Sequence, residues 1–399
     1  MKNLLYYSLI ILLVLNAGCK EEEIIAPTES YLRILDNRNY TAQYDPIGVK
    51  ETPTGGALIL TATEDPNTPF SGSAVILTDS LGEIKKSTEA PDNLVAPVGE
   101  LVQIADKYYY ASMDFRSLQV HLIPVNAEGE TETPVPVGNA LQYPLALSKT
   151  SSNDLLLLSY DPTGRESVIS IVGIDGVVKR SRGYSIGPAT DVEPLIFSHF
   201  TNPDAELTFF VGENSDGLYY FNGFYNFTLS MVFTNFGEEP TGVVQGQQTF
   251  TGIRSVLPLG GGRFTVMGYQ YDRNFLRAQT SLSTNTVTSS VDLFVSELPE
   301  VLPNAHSKSI LLVEENADPV VITATETQNR QTILYFHDES GILLGIKRLG
   351  SLNPFTLSDL TNTSDGGIML SGTTFLASRF ERIYIAKISP IEMDEIIGR

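Results

Sequence analysis

The chain of 399 residues contains one cysteine, Cys19, and the position of this thiol limits its chemistry. A lone cysteine cannot form a disulfide within the chain, and it cannot supply a zinc site built from several thiolates. Before it lie a short basic start, Met1 to Asn3, and a mainly apolar run, Leu4 to Leu15. This run is shorter than the ~20 residues of a membrane-spanning helix and fits the apolar core of a secretory signal. We therefore predict a signal peptide over residues 1–18.

The residues directly before the cysteine give the thiol a possible role. Asn16-Ala17-Gly18-Cys19 resembles the lipobox of bacterial lipoproteins, although a leucine is usual where Asn16 stands and Leu15 lies one place early. The resemblance implies cleavage before Cys19 and acylation of that residue. Several acyl chains on one residue would anchor the protein stably in a membrane. The alternative is an ordinary cleaved signal followed by a stray cysteine.

A charged run follows the cysteine. Lys20, Glu21, Glu22 and Glu23 resemble the surface-export signal of lipoproteins of the Bacteroidota. That resemblance implies an outer-membrane protein whose folded part faces the cell exterior. The alternative is a solvated tether with no signalling role. In either case residues 19–30 are predicted to form a flexible, lipidated spacer before the fold.

Histidines and carboxylates offer no recognisable catalytic arrangement. His121, His199, His306 and His337 are far apart in sequence, and none has the HxH or HExxH spacing of metal ligands. They are predicted to be structural, although a repeat fold could bring equivalent positions together. The chain has no nucleophile elbow or phosphate-binding loop, so we predict no catalytic residue, metal or cofactor. Pairs of carboxylates for glycoside hydrolysis remain possible among the 47 acidic residues.

An aromatic segment, "LYYFNGFYNF", is the candidate binding surface. Asn222-Gly223 within it predicts a two-residue hairpin turn. On this hypothesis Tyr219, Phe221 and Tyr225 are exposed and contact a partner, as aromatic residues do at interface hot spots. The alternative is packing between repeats. The chain has no tryptophan, the usual platform for sugars, so a protein partner is favoured over a glycan.

Composition excludes one class of partner. The formal net charge of −21 repels phosphate backbones, so we expect no nucleic-acid binding. Hydrophobic residues make up 42% of the chain, which is enough for a substantial core.

Seven short segments share one pattern, and this pattern determines the predicted fold. In each, turn residues precede a strand rich in β-branched or aromatic residues. The strands begin near Ala57, Tyr108, Leu155, Leu207, Arg263, Val320 and Ile368. Their mean spacing of about 52 residues is close to the ~40–50 residues of propeller blades.

A second turn follows most of these strands. The predicted turn residues are Gly82, Gly129, Gly176, Gly237, Thr284-Asn285 and Gly341. Glycine and asparagine tolerate the positive φ of tight hairpins. Each unit therefore holds about four strands, which suffices for one blade.

These observations predict an all-β protein with a seven-bladed β-propeller over residues 31–399, with six or eight blades as the alternatives. The segment from Tyr31 to Tyr44 has no blade of its own, and the last unit lacks an outer strand. We therefore expect the amino-terminal segment to close the ring within the last blade, which removes an open sheet edge. The paired-glycine turns resemble bacterial propeller repeats, and this resemblance implies a fold without an activity.

Taken together, these features predict a non-enzymatic interaction or accessory subunit, a scaffold, of an outer-membrane protein complex. The alternative is a glycan-binding or polysaccharide-degrading component of nutrient uptake, with a site at the propeller channel. The residues that line the channel would distinguish the two hypotheses. A bland or plugged channel favours the scaffold, whereas clustered histidine, arginine and carboxylate side chains favour the enzyme.

Overall fold

A computed structural model describes residues 29–35, 44–64, 68–188, 191–202, 207–247, 251–303, 305–313, 317–351, 353–376 and 380–399. Within these residues, seven small sheets are arranged as the blades of a β-propeller. The predicted fold class and blade number are confirmed. The signal peptide, Cys19 and the charged run Lys20 to Glu23 lie outside the described residues, so their roles stay predictions.

The first three blades are regular four-stranded meanders. Blade 1 contains β2 (Tyr44–Glu51), β3 (Ala57–Thr63), β4 (Gly72–Thr78) and β5 (Ile84–Glu89). Blade 2 contains β6 (Leu94–Ile104), β7 (Lys107–Asp114), β8 (Val120–Val125) and β9 (Val135–Pro136). Blade 3 contains β10 (Pro144–Lys149), β11 (Leu155–Asp161), β12 (Glu166–Val172) and β13 (Val178–Ser185).

The next three blades include the irregular part of the ring. Blade 4 contains β14 (Phe210–Glu213), β15 (Tyr219–Tyr225), β16 (Thr228–Thr234), β17 (Gly242–Gln245) and a fifth strand, β21 (Val287–Ser289). Blade 5 contains β18 (Thr251–Gly260), β19 (Arg263–Gln270) and β20 (Arg273–Ser281). Blade 6 contains β22 (Lys308–Leu312), β23 (Val320–Glu326), β24 (Thr332–Asp338) and β25 (Leu343–Leu349).

Blade 7 joins the two ends of the propeller. It contains β26 (Asp359–Asn362), β27 (Ile368–Leu376), β28 (Phe380–Ile388) and β1 (Tyr31–Leu35). Strand β1 runs antiparallel to β28, with Tyr31 opposite Lys387 and Leu35 opposite Ile383. The hydroxyl of Ser30 accepts a hydrogen bond from the backbone N–H of Ser389 at 2.9 Å. The prediction that the amino-terminal segment closes the last blade is confirmed.

Two short helices lie outside the sheets, α1 (Glu193–Thr201) between blades 3 and 4 and α2 (Pro390–Ile397) after β28. The ends of α2 follow from its sequence. The Ser389 hydroxyl accepts a hydrogen bond from the N–H of Glu392, and Pro390 occupies the first turn. Gly398 ends the helix in a left-handed conformation, at a φ of 76°.

The second strand of a blade lies between neighbouring blades and is more buried than the fourth strand, which lies at the outer edge. Strands β3 and β11 are nearly continuous apolar runs, "ALILTAT" and "LLLLSYD", and they are buried on both faces between neighbouring blades. Strand β5, "IKKSTE", lies at the outer edge of blade 1 and is mainly exposed. The core is therefore a set of apolar clusters between adjacent blades.

The first strand of each blade is the innermost one and contacts the first strands of neighbouring blades around the central channel. In blades 1, 3 and 7 these strands end at Glu51, Lys149 and Asn362, where the chain turns outward into the second strand. We call this end of the channel the turn end.

Turn geometry matches the prediction at four of its six sites. Gly82, Gly129, Gly176 and Gly341 have φ values of 72° to 89° in the turns before the fourth strands. Gly237 is not the residue with positive φ in its turn, because Phe236 adopts that conformation with a φ of 64°. Gly237 does lie in the predicted connection between the third and fourth strands, but the prediction of a positive φ at this residue is wrong.

Two further predictions are corrected in blades 4 and 5. The strand predicted near Leu207 is the innermost strand, and the equivalent second strand begins at Tyr219, because α1 lengthens the connection before blade 4. Thr284-Asn285 lies in a turn, but this turn leads β21 away from blade 5. Strand β21 pairs in parallel with β17 of blade 4, with Val287 opposite Val243.

Candidate functional site

The aromatic segment of blade 4 does not form the predicted hairpin. Tyr219 to Tyr225 is one continuous strand, and Asn222 and Gly223 lie in its middle. The turn comes later, at Asn226 and Phe227, which both have positive φ. Asn222 is buried, and its side-chain amide donates hydrogen bonds to the carbonyl oxygens of Thr208 at 2.6 Å and Ile253 at 3.4 Å. The Asn-Gly pair therefore joins neighbouring strands and is not a turn.

Burial divides the three aromatic residues proposed for binding. Phe221 is completely buried, with its ring 5.9 Å from that of Tyr184, so it cannot contact a partner in the folded protein. Tyr219 and Tyr225 pack against the same core but are only half-buried. Tyr219 contacts Phe236 edge to face, with ring centroids 5.1 Å apart. The prediction that Tyr219 and Tyr225 contact a partner stays a prediction.

Helix α1 presents a second aromatic surface at the end of the propeller opposite the turn end. Its Phe197 ring lies 5.3 Å from that of Phe70, which belongs to blade 1, so the helix packs beneath several blades. Leu195 and Phe197 nevertheless remain 47% and 41% exposed. Sequence analysis missed this surface because α1 has no strong amphipathic pattern.

The four histidines do not converge on one place. His121 contacts the Gln119 carbonyl oxygen through Nδ1 at 3.1 Å. His199 lies on α1 against the ring of Phe209, and burial lowers its pKa to about 4. Burial also lowers the pKa of His337. His306 reaches solvent, but protein makes up most of its surroundings. The resulting desolvation lowers the pKa of His306, and the negative charge of Asp359 opposes this shift.

Charged side chains from four blades meet inside the central channel. Lys308 of blade 6 forms ion pairs with Asp359 of blade 7, at 3.2 Å, and with Glu100 of blade 2. Glu100 also lies 4.0 Å from the amine of Lys50 in blade 1. Blades 2 and 6 are not neighbours in the ring, so the Glu100–Lys308 pair crosses the channel. We call these four residues the channel network.

Backbone contacts hold the network in position. The second carboxylate oxygen of Asp359 accepts a hydrogen bond from the N–H of Val49 at 2.8 Å, which links blades 7 and 1. Lys50 donates to the hydroxyl of Thr361 at 3.0 Å. Burial lowers the pKa values of Lys50 and Lys308, and Asp359 opposes both shifts by attraction. Each ammonium group therefore depends on its carboxylate and hydroxyl partners to remain charged.

At the turn end the channel opens into a cavity of about 460 Å³. Its walls come from the ends of the innermost strands of blades 1, 2, 3 and 7. The polar side chains that line it include Lys50, Glu100, Gln103, Ser148, Lys149 and Asn362. The volume lies within the ~300–1,000 Å³ of small-molecule pockets. This cavity, with the channel network below it, is the candidate site.

The chemistry available at this site is binding by charge and hydrogen bonds. Across the described ranges, no group of three or more histidine, cysteine or acidic residues could hold a metal ion. In the same part of the chain, no helix is long and apolar enough to cross a membrane. Sequence analysis did not find the site because its residues come from the ends of four strands that are far apart in the sequence. A comparison of the charged positions that precede the first turn of each repeat could have indicated it.

Comparisons with known proteins support the fold. No family model and no curated protein matches the chain. The WD40 domain of Toxoplasma gondii coronin is similar in structure, with 11% identity over 91% of this chain and 87% of that domain, and a TM-score of 0.51. At this identity the likeness shows the propeller fold alone.

Two other solved structures match less closely. A protein of unknown function from Bacteroides caccae has 10% identity, 82% coverage of both chains and a TM-score of 0.34. The β-propeller domain of the Trilobed protease from Pyrococcus furiosus has 9% identity, covers 87% of this chain and 96% of that domain, and gives a TM-score of 0.45.

Proposed function

We propose that this protein is a surface lipoprotein whose propeller serves as a non-enzymatic interaction subunit of an outer-membrane complex. The observation that carries this proposal is the exposed pair Leu195 and Phe197 on α1. Aromatic side chains such as Phe197 are enriched in the cores of protein–protein interfaces. A second supporting observation is the ion pair between Glu100 and Lys308, because it links blades 2 and 6 across the channel.

The position of the tether fits this role. The chain enters the ring through β1, and the side chains of Tyr31 and Arg33 pack against Gly82 in a turn at the turn end. Helix α1 lies at the opposite end. A lipid anchor at Cys19 would therefore leave α1 on the side away from the point where the chain joins the ring, where a partner could reach it.

Recovery of partners from native outer membranes tests the proposal. We expect Leu195→Ser combined with Phe197→Ser to reduce partner recovery at least tenfold with little change in melting temperature. Ile174→Ser is the matched control, because Ile174 is 46% exposed on a turn of blade 3. Cys19→Ala should release the protein from the membrane fraction. Unchanged recovery with the double variant, or membrane retention of fully processed Cys19→Ala, would contradict the proposal.

A second candidate function is glycan binding within a nutrient-uptake system. The observation that favours it is the polar cavity at the turn end, whose size suits a small hydrophilic molecule. This function could coexist with an interaction surface on α1, because the two lie at opposite ends of the ring.

A further inference from the structure

We propose that the cavity at the turn end binds a small hydroxylated carboxylate. The ligand carboxylate would contact Lys50 and Lys149, and its hydroxyl groups would contact Gln103, Ser148 and Asn362. This inference rests on the second candidate function and names its ligand class. It does not depend on the interaction surface of α1.

The first argument is that the carboxylates of the cavity already have partners. Glu51 accepts a hydrogen bond from the backbone N–H of Ser364 at 2.6 Å. Glu100 is held by Lys308 and lies 4.0 Å from Lys50. These acidic groups are therefore poorly placed to bind a cationic ligand.

The second argument is that several donors at the cavity have capacity left. The ammonium group of Lys50 has three N–H donors and makes one hydrogen bond, to Thr361. Lys149 is exposed, and within the described ranges it forms no ion pair or hydrogen bond through its amine. Two ammonium groups with unused donors at the same cavity favour an anionic group, and a carboxylate accepts several hydrogen bonds.

The third argument concerns Ser148, which precedes Lys149 on β10 and also lines the cavity. Its hydroxyl oxygen is buried and has no hydrogen-bond partner in the part of the chain that the structure describes. A buried polar group without a partner is destabilising, so its persistence needs an explanation. Rotation of the Ser148 side chain toward the cavity would let a ligand hydroxyl supply the missing partner.

The remaining lining supports a hydroxylated ligand. Gln103 and Asn362 add amide groups to the lining, while Leu101 and Val102, which also line it, are buried and expose little of their side chains. None of the lining residues is aromatic, so the cavity offers no ring on which a flat ligand could stack. A sugar acid has the required carboxylate, hydroxyl groups and limited apolar faces.

Binding of glucuronate to the full chain in detergent micelles, measured by calorimetry, tests the inference. Glucose is the matched neutral probe, because it has the same ring without the carboxylate. We expect glucuronate to bind at least tenfold more tightly than glucose. Lys149→Gln should weaken glucuronate binding at least fivefold without a change in melting temperature, because Lys149 is exposed. Lys50→Gln should weaken it at least tenfold, and Ser148→Ala about threefold.

Lys179→Gln is the control variant. Lys179 is an exposed lysine of the same blade as Lys149, but it pairs with Asp154 at 2.6 Å, outside the cavity. It should bind glucuronate like the unaltered protein. Equal binding of glucose and glucuronate, absence of binding at millimolar glucuronate, or binding that Lys149→Gln leaves unchanged would overturn the inference.

Two further arms separate the possible sources and the two functions. If the natural ligand is the end of a polysaccharide, an oligosaccharide with a terminal glucuronate should bind at least as tightly as free glucuronate. If the natural ligand is the free acid, the oligosaccharide should bind less tightly. Partner recovery from membranes should be the same for Lys149→Gln and the unaltered protein. Loss of glucuronate binding with intact partner recovery would therefore separate failure at the cavity from failure of the interaction surface.

Discussion

Two junctions in the ring use strands that come from distant parts of the chain, and they differ in strength. At the closing junction, β1 pairs with β28 over five residues in antiparallel register, and Leu35 is buried with Ile383 and Ile385. At the crossover junction, β21 pairs with β17 over three residues in parallel, and Val287 is 72% exposed. The comparison indicates that the closing junction, with its buried apolar contacts, contributes more to the stability of the ring than the crossover junction does.

The largest expected effect tests this difference directly. Leu35→Ala at the closing junction should lower the free energy of unfolding by about 2–4 kcal/mol, because it removes a buried side chain from a packed cluster. Val287→Ala is the matched control at the crossover junction and should cost less than about 0.5 kcal/mol. Denaturant unfolding measures both values. Similar values for the two variants would show that burial does not distinguish the junctions.

The next largest effect concerns the close approach between Gly242 of blade 4 and the turn that leads into β21. A Cβ added at Gly242 would lie 2.5 Å from the carbonyl carbon of Thr284 and 2.8 Å from the N of Asn285. Gly242→Ala should therefore cost about 1–3 kcal/mol, since backbone atoms would have to move. The nearest atoms to a Cβ at Gly138 are 3.6 to 4.0 Å away, so Gly138→Ala is the control. A melting temperature unaffected by Gly242→Ala would show that the turn at Thr284-Asn285 does not need this close approach.

The smallest expected effect is a pH dependence at Asp45 of β2, in blade 1 next to the closing junction. Burial, together with the nearby carboxylates of Glu381 and Glu64, raises the pKa of Asp45 to about 6. Because the folded protein binds this proton more tightly than the unfolded chain does, ionisation of Asp45 costs stability above pH 6. That cost is relieved as the pH falls through 6, and it disappears below the unfolded pKa near 4.

Asp45→Asn should therefore stabilise the protein by about 1–2 kcal/mol at about pH 7.5 and have little effect near pH 4. Melting temperatures at the two pH values measure the difference. Asp92→Asn, a change at an exposed carboxyl, is the control. An equal gain from both variants, or a gain that grows as the pH falls, would contradict the burial of Asp45 as the cause.

The sequence predicts the repeated part of the fold because local signals are sufficient there. Gly82, Gly129, Gly176 and Gly341 occupy turns with positive φ that few other residues tolerate. The nearly continuous apolar runs of the second strands then predict burial on both faces. The closing strand is also predictable, because the last unit lacks a fourth strand and the amino-terminal segment lacks a blade.

The aromatic segment misled the prediction because a tertiary contact overrides a local preference. Asn222-Gly223 is a strong turn signal, yet the Asn222 side chain is satisfied by carbonyl groups of neighbouring strands. A Cβ at Gly223 would lie 3.1 Å from the ring of Phe221 and 3.2 Å from the hydroxyl of Ser167. Glycine at this position therefore serves close packing between blades 3 and 4.

The channel network could not be predicted from local patterns. About 50 to 300 residues separate its members, Lys50, Glu100, Lys308 and Asp359, and no local motif connects them. Their convergence depends on the register of four innermost strands, which only the closed ring sets. Polar residues on innermost strands are therefore the positions to compare first in similar repeats.

The pairing of β1 with β28 also has a consequence for biosynthesis. Strand β1 is among the first parts of the propeller to be translated, and β28 is among the last. Blade 7 therefore cannot be completed until β28 has been made, and contacts between such distant segments form slowly. Until then β1 has no pairing partner, and an unpaired strand edge promotes aggregation. Chaperones that delay compaction would have their greatest effect on this protein at that last step.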